Sequence, residues 1–289
     1  MTYLVGVTLL WAFSFSLIGV YLAGQVDSYF AVLTRIVLAT LVFLPFLKWR
    51  NVRPALAAKL MTVGALQLGI MYVFYYKSFL LLSVPEVLIF TIFTPVYVTL
   101  IYDLLNKRFS PGFLLAAVGA VVGAAIIRYD NLSEDYLLGF LVVQGANLCF
   151  AMGQVGYKVI MERERADLPQ HTVFGLFYMG ALVVGVISFL IWGGNKYPTT
   201  STQWGVLLWL GAVASGAGYF LWNKGATLVN AGTLAVMNNA LIPAGLVVNL
   251  LIWNREADMP RLLIGSGVMF VALYIAERYF RNRALQAAS

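Results

Sequence analysis

The 289-residue chain has a single cysteine, Cys149, a single histidine, His171, and only 11% charged residues. One cysteine allows no internal disulfide, and with one histidine no His/Cys cluster stands at metal-ligand spacing, so disulfide frameworks and structural metal sites are excluded. No G-x-x-x-x-G-K-[ST] phosphate loop occurs, which leaves direct use of ATP without support. Long polar stretches are also missing. The connectors between apolar runs are as short as "KWRNVRPALAAK" and "MERERADLPQ". Nothing is left over for a catalytic domain outside a bilayer. The net charge of +7 does not point to nucleic acid, because the basic residues lie mostly in these connectors and no soluble segment is long enough to form a binding domain.

What the chain does have is apolar length. It is 61% hydrophobic, and stretches of about twenty residues carry almost no charge, the length a helix needs to cross roughly 30 Å of hydrocarbon. Boundaries at charged residues, Pro and Gly divide it into ten candidate spans: 3–23, 28–47, 59–80, 84–104, 111–128, 136–158, 171–193, 203–223, 232–253 and 261–280. The first has no basic segment before it and is too long for a signal-peptide core, so it reads as a retained span. With the N-terminus inside, thirteen of the 19 Lys and Arg fall on the inner side and five on the outer, Arg35 lying within span 2. The positive-inside rule then puts both termini in the cytoplasm.

The chain also repeats itself. "YVFYYKSFLLLSVPEV", from Tyr72, aligns without gaps on "YFLWNKGATLVNAGTL", from Tyr219, so that Lys77 falls on Lys224, and with one inserted residue Pro95 meets Pro243. Span 3 thus matches span 8, and span 4 matches span 9. The expected fold is an all-α integral membrane protein of ten transmembrane helices in two inverted five-helix repeats, 1–130 and 131–289. Lys77 would then lie near the outer face and Lys224 near the inner face, as symmetry-related gate positions. Small-residue runs such as "GAVVGAA" and the cluster "GAVASGAG" at 211–218 read as helix packing and receive no substrate role.

Polar groups inside a bilayer are costly, about 2.5–3.5 kcal/mol for a mid-helix charge on insertion scales, so their positions carry the site signal. The inventory is Arg35, Gln67, Lys77, Glu86, Gln144, Asn147, Gln154, Lys158, Asn223, Lys224, Asn238, Asn239 and Asn249. The adjacent amides Asn238 and Asn239 point about 100° apart on a helix. At least one is expected to meet a polar, uncharged ligand group, with interhelical bonding as the bland alternative. Glu86, just after Pro85, reads either as a carrier of a coupling proton or as a partner for Lys77. Lys77 and Lys224 either hold a substrate carboxylate or snorkel to their interfaces. Arg35 cannot be neutralised and needs an internal partner, or an anionic ligand. Among the dense aromatics, Trp11, Tyr72 and Tyr178 are the candidates for a ligand clamp. Pro95 and Pro243 are candidate kinks that free backbone carbonyls for rocking.

At "LLWAFSFSLIGVYLAGQVDSYFAVLTRIVLATLVFLPFLK" the chain resembles the first two spans of the drug/metabolite transporter superfamily, in its EamA-type family of ten-helix proteins, and the resemblance runs nearly full length. "LWAFSFSL", "DSYFAVL", "FTPVYVTLIYD", "IIRYD", "WNKGAT", "AGTLAVMNN" and "PAGLVVNLLIW" look most like the biotin-importing members. The resemblance implies a secondary transporter of the inner membrane with a central cavity between the halves, no bound cofactor and no obligatory ATPase partner. It also implies biotin as substrate. The ureido ring of biotin would suit Asn238, Asn239 or Asn147, its thioether ring the aromatic walls, and its carboxylate a cation: Lys77, Lys224 or Arg35. The nearest alternative is an exporter of amino acids or other metabolites on the same fold. An intramembrane enzyme would need a carboxylate cluster or metal site that the sequence lacks. A vitamin-binding subunit of an ATP-driven module would need partner proteins, and the inverted repeat argues against it.

Overall fold

The computed structural model describes residues 1–82, 87, 90–127, 136–164, 169–253 and 259–288. They form an all-helical, multi-pass membrane protein of about ten helices. In chain order these are α1 (Thr2–Leu22), α2 (Ser28–Phe46), α3 (Pro54–Ser78) and α4 (Thr91–Leu105). There follow α5 (Pro111–Ile127), α6 (Tyr136–Glu164), α7 (Gln170–Trp192) and α8 (Ser201–Thr227). The last are α9 (Ala231–Asn239), α10 (Leu241–Trp253) and α11 (Met259–Ala288). Among the described residues α1, α2, α3, α6, α7 and α8 are each long and apolar enough to cross a bilayer alone. The apolar run 232–253 is instead two short helices, α9 and α10, with a turn at Ala240 between them.

Helix starts are marked where the sequence supplies side-chain oxygens. Asp27 accepts from the Phe30 N–H at the start of α2, Thr200 and Gln203 form a reciprocal capping box on α8, and Asn230 accepts from the Thr233 N–H on α9. Lys77 and Lys224 both lie in the last turn of their helices, α3 and α8, where the macrodipole favours a cation.

The packing has a paired pattern. α2 lies on the middle of α8 while α7 lies on α3; α1 packs on the C-terminal half of α8 while α6 packs on α3. α6 also contacts α4, α1 contacts α10, and α5 pairs with α11. The α3–α7 crossing is backbone on backbone. A Cβ on Gly64 would sit 1.8 Å from the Phe177 carbonyl oxygen, and one on Gly180 would sit 1.8 Å from that of Met61. Lipid supplies no hydrophobic drive between helices, so such close approach is how their contact gains dispersion energy.

Besides the short π turn that ends α1, Ile18–Leu22, two helices carry wide-turn π segments, Ala65–Ile70 within α3 and Trp209–Ala217 within α8. The second is the small-residue cluster of the sequence, where Gly211, Ala214, Ser215 and Gly216 are buried. A π turn misaligns backbone carbonyls from their usual donors and so offers them to other groups.

Candidate functional site

The π segment of α8 is where the offered carbonyls are used. Trp11 of α1 donates its indole N–H to the Ala214 carbonyl at 2.8 Å. Tyr178 of α7 donates its hydroxyl between the carbonyls of Ser215, at 2.9 Å, and Gly216. Tyr178 is wholly buried, so its ring ties α7 to α8.

The Ser215 side chain faces Arg35. The guanidinium is 3% exposed and donates from Nε to Ser215 Oγ at 3.1 Å, and from its two terminal nitrogens to Tyr76 Oη at 3.0 Å and Tyr72 Oη at 2.6 Å. The Tyr72 and Ser215 hydroxyls are themselves 2.8 Å apart. Arg35 also lies over the Tyr72 ring, 4.4 Å from its centroid, a contact favourable to a desolvated cation. α2, α3 and α8 therefore meet at one charge held by three neutral hydroxyls.

A second polar group forms at the broken helices. Before Pro95 the chain makes a tight 3-10 turn over Thr91–Phe93, and α4 then continues regularly. Asn147 donates to the Phe90 carbonyl at 2.8 Å and Gln144 donates to the same oxygen at 2.9 Å. Asn239 donates to the Ile92 carbonyl at 2.9 Å. The amides of α6 and α9 thus satisfy carbonyls that the break releases. Pro95 and Pro243 both fall in the first turn of a helix after a break, where a missing N–H costs nothing. Each follows a distorted turn whose flanking residues, Phe90, Phe93 and Ala240, keep right-handed helical backbone angles, the place where the sequence reading puts a kink.

Between these groups lies a partly open cavity, whose space not filled by atoms is about 680 Å³ with the open solvent at its mouth included. Its aromatic walls are Trp11, Phe15, Tyr72, Tyr75, Phe150 and Tyr219; Arg35 stands in its lining, as do Asn147, Asn238, Ser14 and Met71. The aromatics interlock, with Trp11 stacked on Trp222 at 5.1 Å and Phe15 edge-on to Tyr75 at 5.5 Å. Ser14 Oγ is buried with no hydrogen-bond partner among the described residues. Such a surface, mostly aromatic with a few fixed polar groups, is suited to a small ring-bearing ligand.

Five of the residues singled out from the sequence line this cavity: Trp11, Arg35, Tyr72, Asn147 and Asn238. Tyr178 and Asn239 are buried beside it in helix–helix bonds, and Asn239 Oδ1 has no partner among the described residues. Lys77 is exposed. Lys224 is half-buried, with its ammonium 5.0 Å from the Tyr3 ring centroid. Neither lysine lines the cavity. Glu86 lies outside the described residues. The sequence reading gave Ser215 no role because it sits in a run of Gly and Ala that reads as packing. A lone hydroxyl in such a run, in a chain with one intramembrane arginine, was the available signal.

The chain matches the model of the EamA-like transporter family over residues 1–129 and again over 137–277. It is 56% identical over 276 residues to a probable biotin transporter of Pseudomonas aeruginosa, covering 95% of this chain and 96% of the relative. It is 49% identical to the biotin transporter of Escherichia coli K12 and 48% identical to that of Salmonella typhimurium, in each case over all of this chain and 96% of the relative. A solved crystal structure 17% identical in sequence superposes with a TM-score of 0.74 over 95% of this chain and 96% of its own, a likeness of fold. The helical cavity with its two broken spans is thus set in a chain that belongs to the EamA-like transporter family.

Proposed function

We propose that this protein imports biotin across the cell inner membrane by alternating access. The observation that carries the reading is the near full-length similarity to biotin transporters, joined to a cavity whose chemistry suits that ligand. The fused rings of biotin pack against Trp11, Tyr72, Phe150 and Tyr219. Its ureido group, one carbonyl acceptor and two N–H donors, meets the amides of Asn147 and Asn238.

The moving parts in this reading are ten spans in two inverted five-helix halves, 1–130 and 131–289, with both termini cytoplasmic and α9 and α10 together forming one broken span. The paired contacts support it: α2 on α8 mirrors α7 on α3, and α1 on α8 mirrors α6 on α3. So do the π segments of α3 and α8. Laying Lys77 on Lys224 superposes Ala65–Ile70 on the C-terminal part of Trp209–Ala217. The breaks before Pro95 and Pro243 supply the discontinuous helices that carriers of this kind build their sites from.

The test is uptake of radiolabelled biotin at nanomolar concentration by cells lacking their own transporter, with amino acids as competitors. Saturable uptake that amino acids leave untouched is the expected result. No uptake by protein confirmed in the membrane would overturn the reading and move it to metabolite export.

A further inference from the structure

Arg35 is a full positive charge in the wall of the cavity, and the groups that hold it carry no charge. Its three hydrogen bonds go to the hydroxyls of Ser215, Tyr76 and Tyr72, and no ion pair to it exists among the described residues. Guanidinium has five N–H donors in a planar fork and does not lose its proton in a protein. Hydroxyls satisfy donors but do not cancel the charge, and desolvated charge needs an anion nearby. The other buried cation among the described residues is already compensated: Lys158, 3% exposed, is 2.8 Å from Glu162 and donates to the carbonyls of Ala226 and Val229.

We propose that Arg35 is the receptor for the substrate carboxylate, and that it makes this carrier select a carboxylic acid over the corresponding neutral amide or ester. Tyr72, Tyr76 and Ser215 act as positioning residues: each bonds a different guanidinium nitrogen and so fixes the plane of the fork. The two N–H groups left over, one on each terminal nitrogen, are free to take a carboxylate end-on. The ring system of the ligand then extends from this fork across the aromatic walls toward Asn147 and Asn238. Lys77 and Lys224 take no part. This assignment rests on the biotin reading, and it names within that site the group that sets specificity.

The experiment is competition against tritiated biotin uptake by unlabelled biotin, desthiobiotin, biotin amide and biotin methyl ester. In the wild type the two acids should compete within a few-fold of each other and the two neutral compounds at least ~30-fold more weakly, the loss typical of removing one partner of a buried charge pair. Arg35→Gln should weaken biotin by a similar factor while changing the amide less than ~3-fold, and Arg35→Lys should restore part of the preference for acids. A wild type that accepts the amide as readily as the acid overturns the proposal without any variant. So does an Arg35→Gln protein, present in the membrane at wild-type level, that loses acid and amide alike, because that marks a structural tie among α2, α3 and α8. Failure of the wild type to take up biotin strikes instead at the transport reading. The acid–amide comparison then passes to direct binding by the purified protein, where equal affinity, or binding of neither, removes the proposal as well.

Discussion

The side-chain amides of Gln154 and Asn238 bond head to tail between α6 and α9: Gln154 Nε2 donates to Asn238 Oδ1 at 3.1 Å, and Asn238 Nδ2 donates back to Gln154 Oε1 at 3.3 Å. Trp222 donates to the same Gln154 oxygen at 2.9 Å. The adjacent Asn239 points elsewhere, to the Ile92 carbonyl.

Two neighbouring amides should therefore fail differently. Asn238→Ala removes a cavity-lining group and should raise the KM for biotin about tenfold or more, in line with the cost of a lost hydrogen bond to a buried partner. Asn239→Ala should leave KM within about threefold and lower stability by about 1–3 kcal/mol, since it frees a buried carbonyl. Uptake kinetics and thermal unfolding of the purified variants check both. Equal effects of the two substitutions on KM would refute the division of labour.

Tyr178→Phe keeps the ring and deletes the donor to the Ser215 and Gly216 carbonyls. It should cost about 1–3 kcal/mol of stability, while biotin affinity stays close to wild type because Tyr178 does not line the cavity. Thermal unfolding alongside uptake at several biotin concentrations would read the two effects separately.

Lys158 anchors the end of α8 through the Ala226 and Val229 carbonyls. Lys158→Met should destabilise by about 1–3 kcal/mol, the loss being moderated because Glu162 is 38% exposed and stays solvated. The chain has one native cysteine, so a Cys149→Ser background carrying Thr227→Cys gives a clean probe. Thiol labelling at that position should speed up when Lys158 is replaced. An unchanged rate would mean the clamp does not hold the end of α8.

Gly64→Ala and Gly180→Ala each drive a methyl into a backbone carbonyl on the partner helix. Both should abolish or sharply reduce folded protein, because a close-packed interior does not absorb such an overlap. Gly6→Ala, where a Cβ meets nothing within 4 Å, is the control and should be tolerated. Yield of monodisperse protein after solubilisation measures all three.

Much of the fold was legible in the sequence because bilayer length and the scarcity of charge leave little choice of element. The spans at 3–23, 28–47 and 171–193 correspond closely to α1, α2 and α7. The division of 232–253 was only half legible: Asn238, Asn239 and Pro243 mark the place as irregular, but the apolar run resumes at Leu241 and its length alone reads as one span. The π segments were hidden for a related reason, since Ala65–Ile70 and Trp209–Ala217 are mostly apolar or small residues and periodicity cannot register a wider turn. In the site, Arg35 announced its need for a partner by its charge alone, but its partners come from α3 and α8, and the choice of hydroxyls over a carboxylate is decided by packing. The two lysines drew attention through their matching places in the repeat. Those places are helix ends, where a cation is favoured whether or not it meets a ligand.

The bond between Arg35 and Ser215 spans 180 residues of chain. During synthesis α2 reaches the membrane long before α8 exists, and at about 5–20 residues per second the interval is roughly 10–40 s. For that time the guanidinium has only what α3 brings, Tyr72 and Tyr76, 37 and 41 residues later. Those tyrosines thus shelter the nascent charge until the second half of the chain arrives, and a variant lacking both hydroxyls would be expected to show its defect first in membrane insertion, before any finished protein is available to assay.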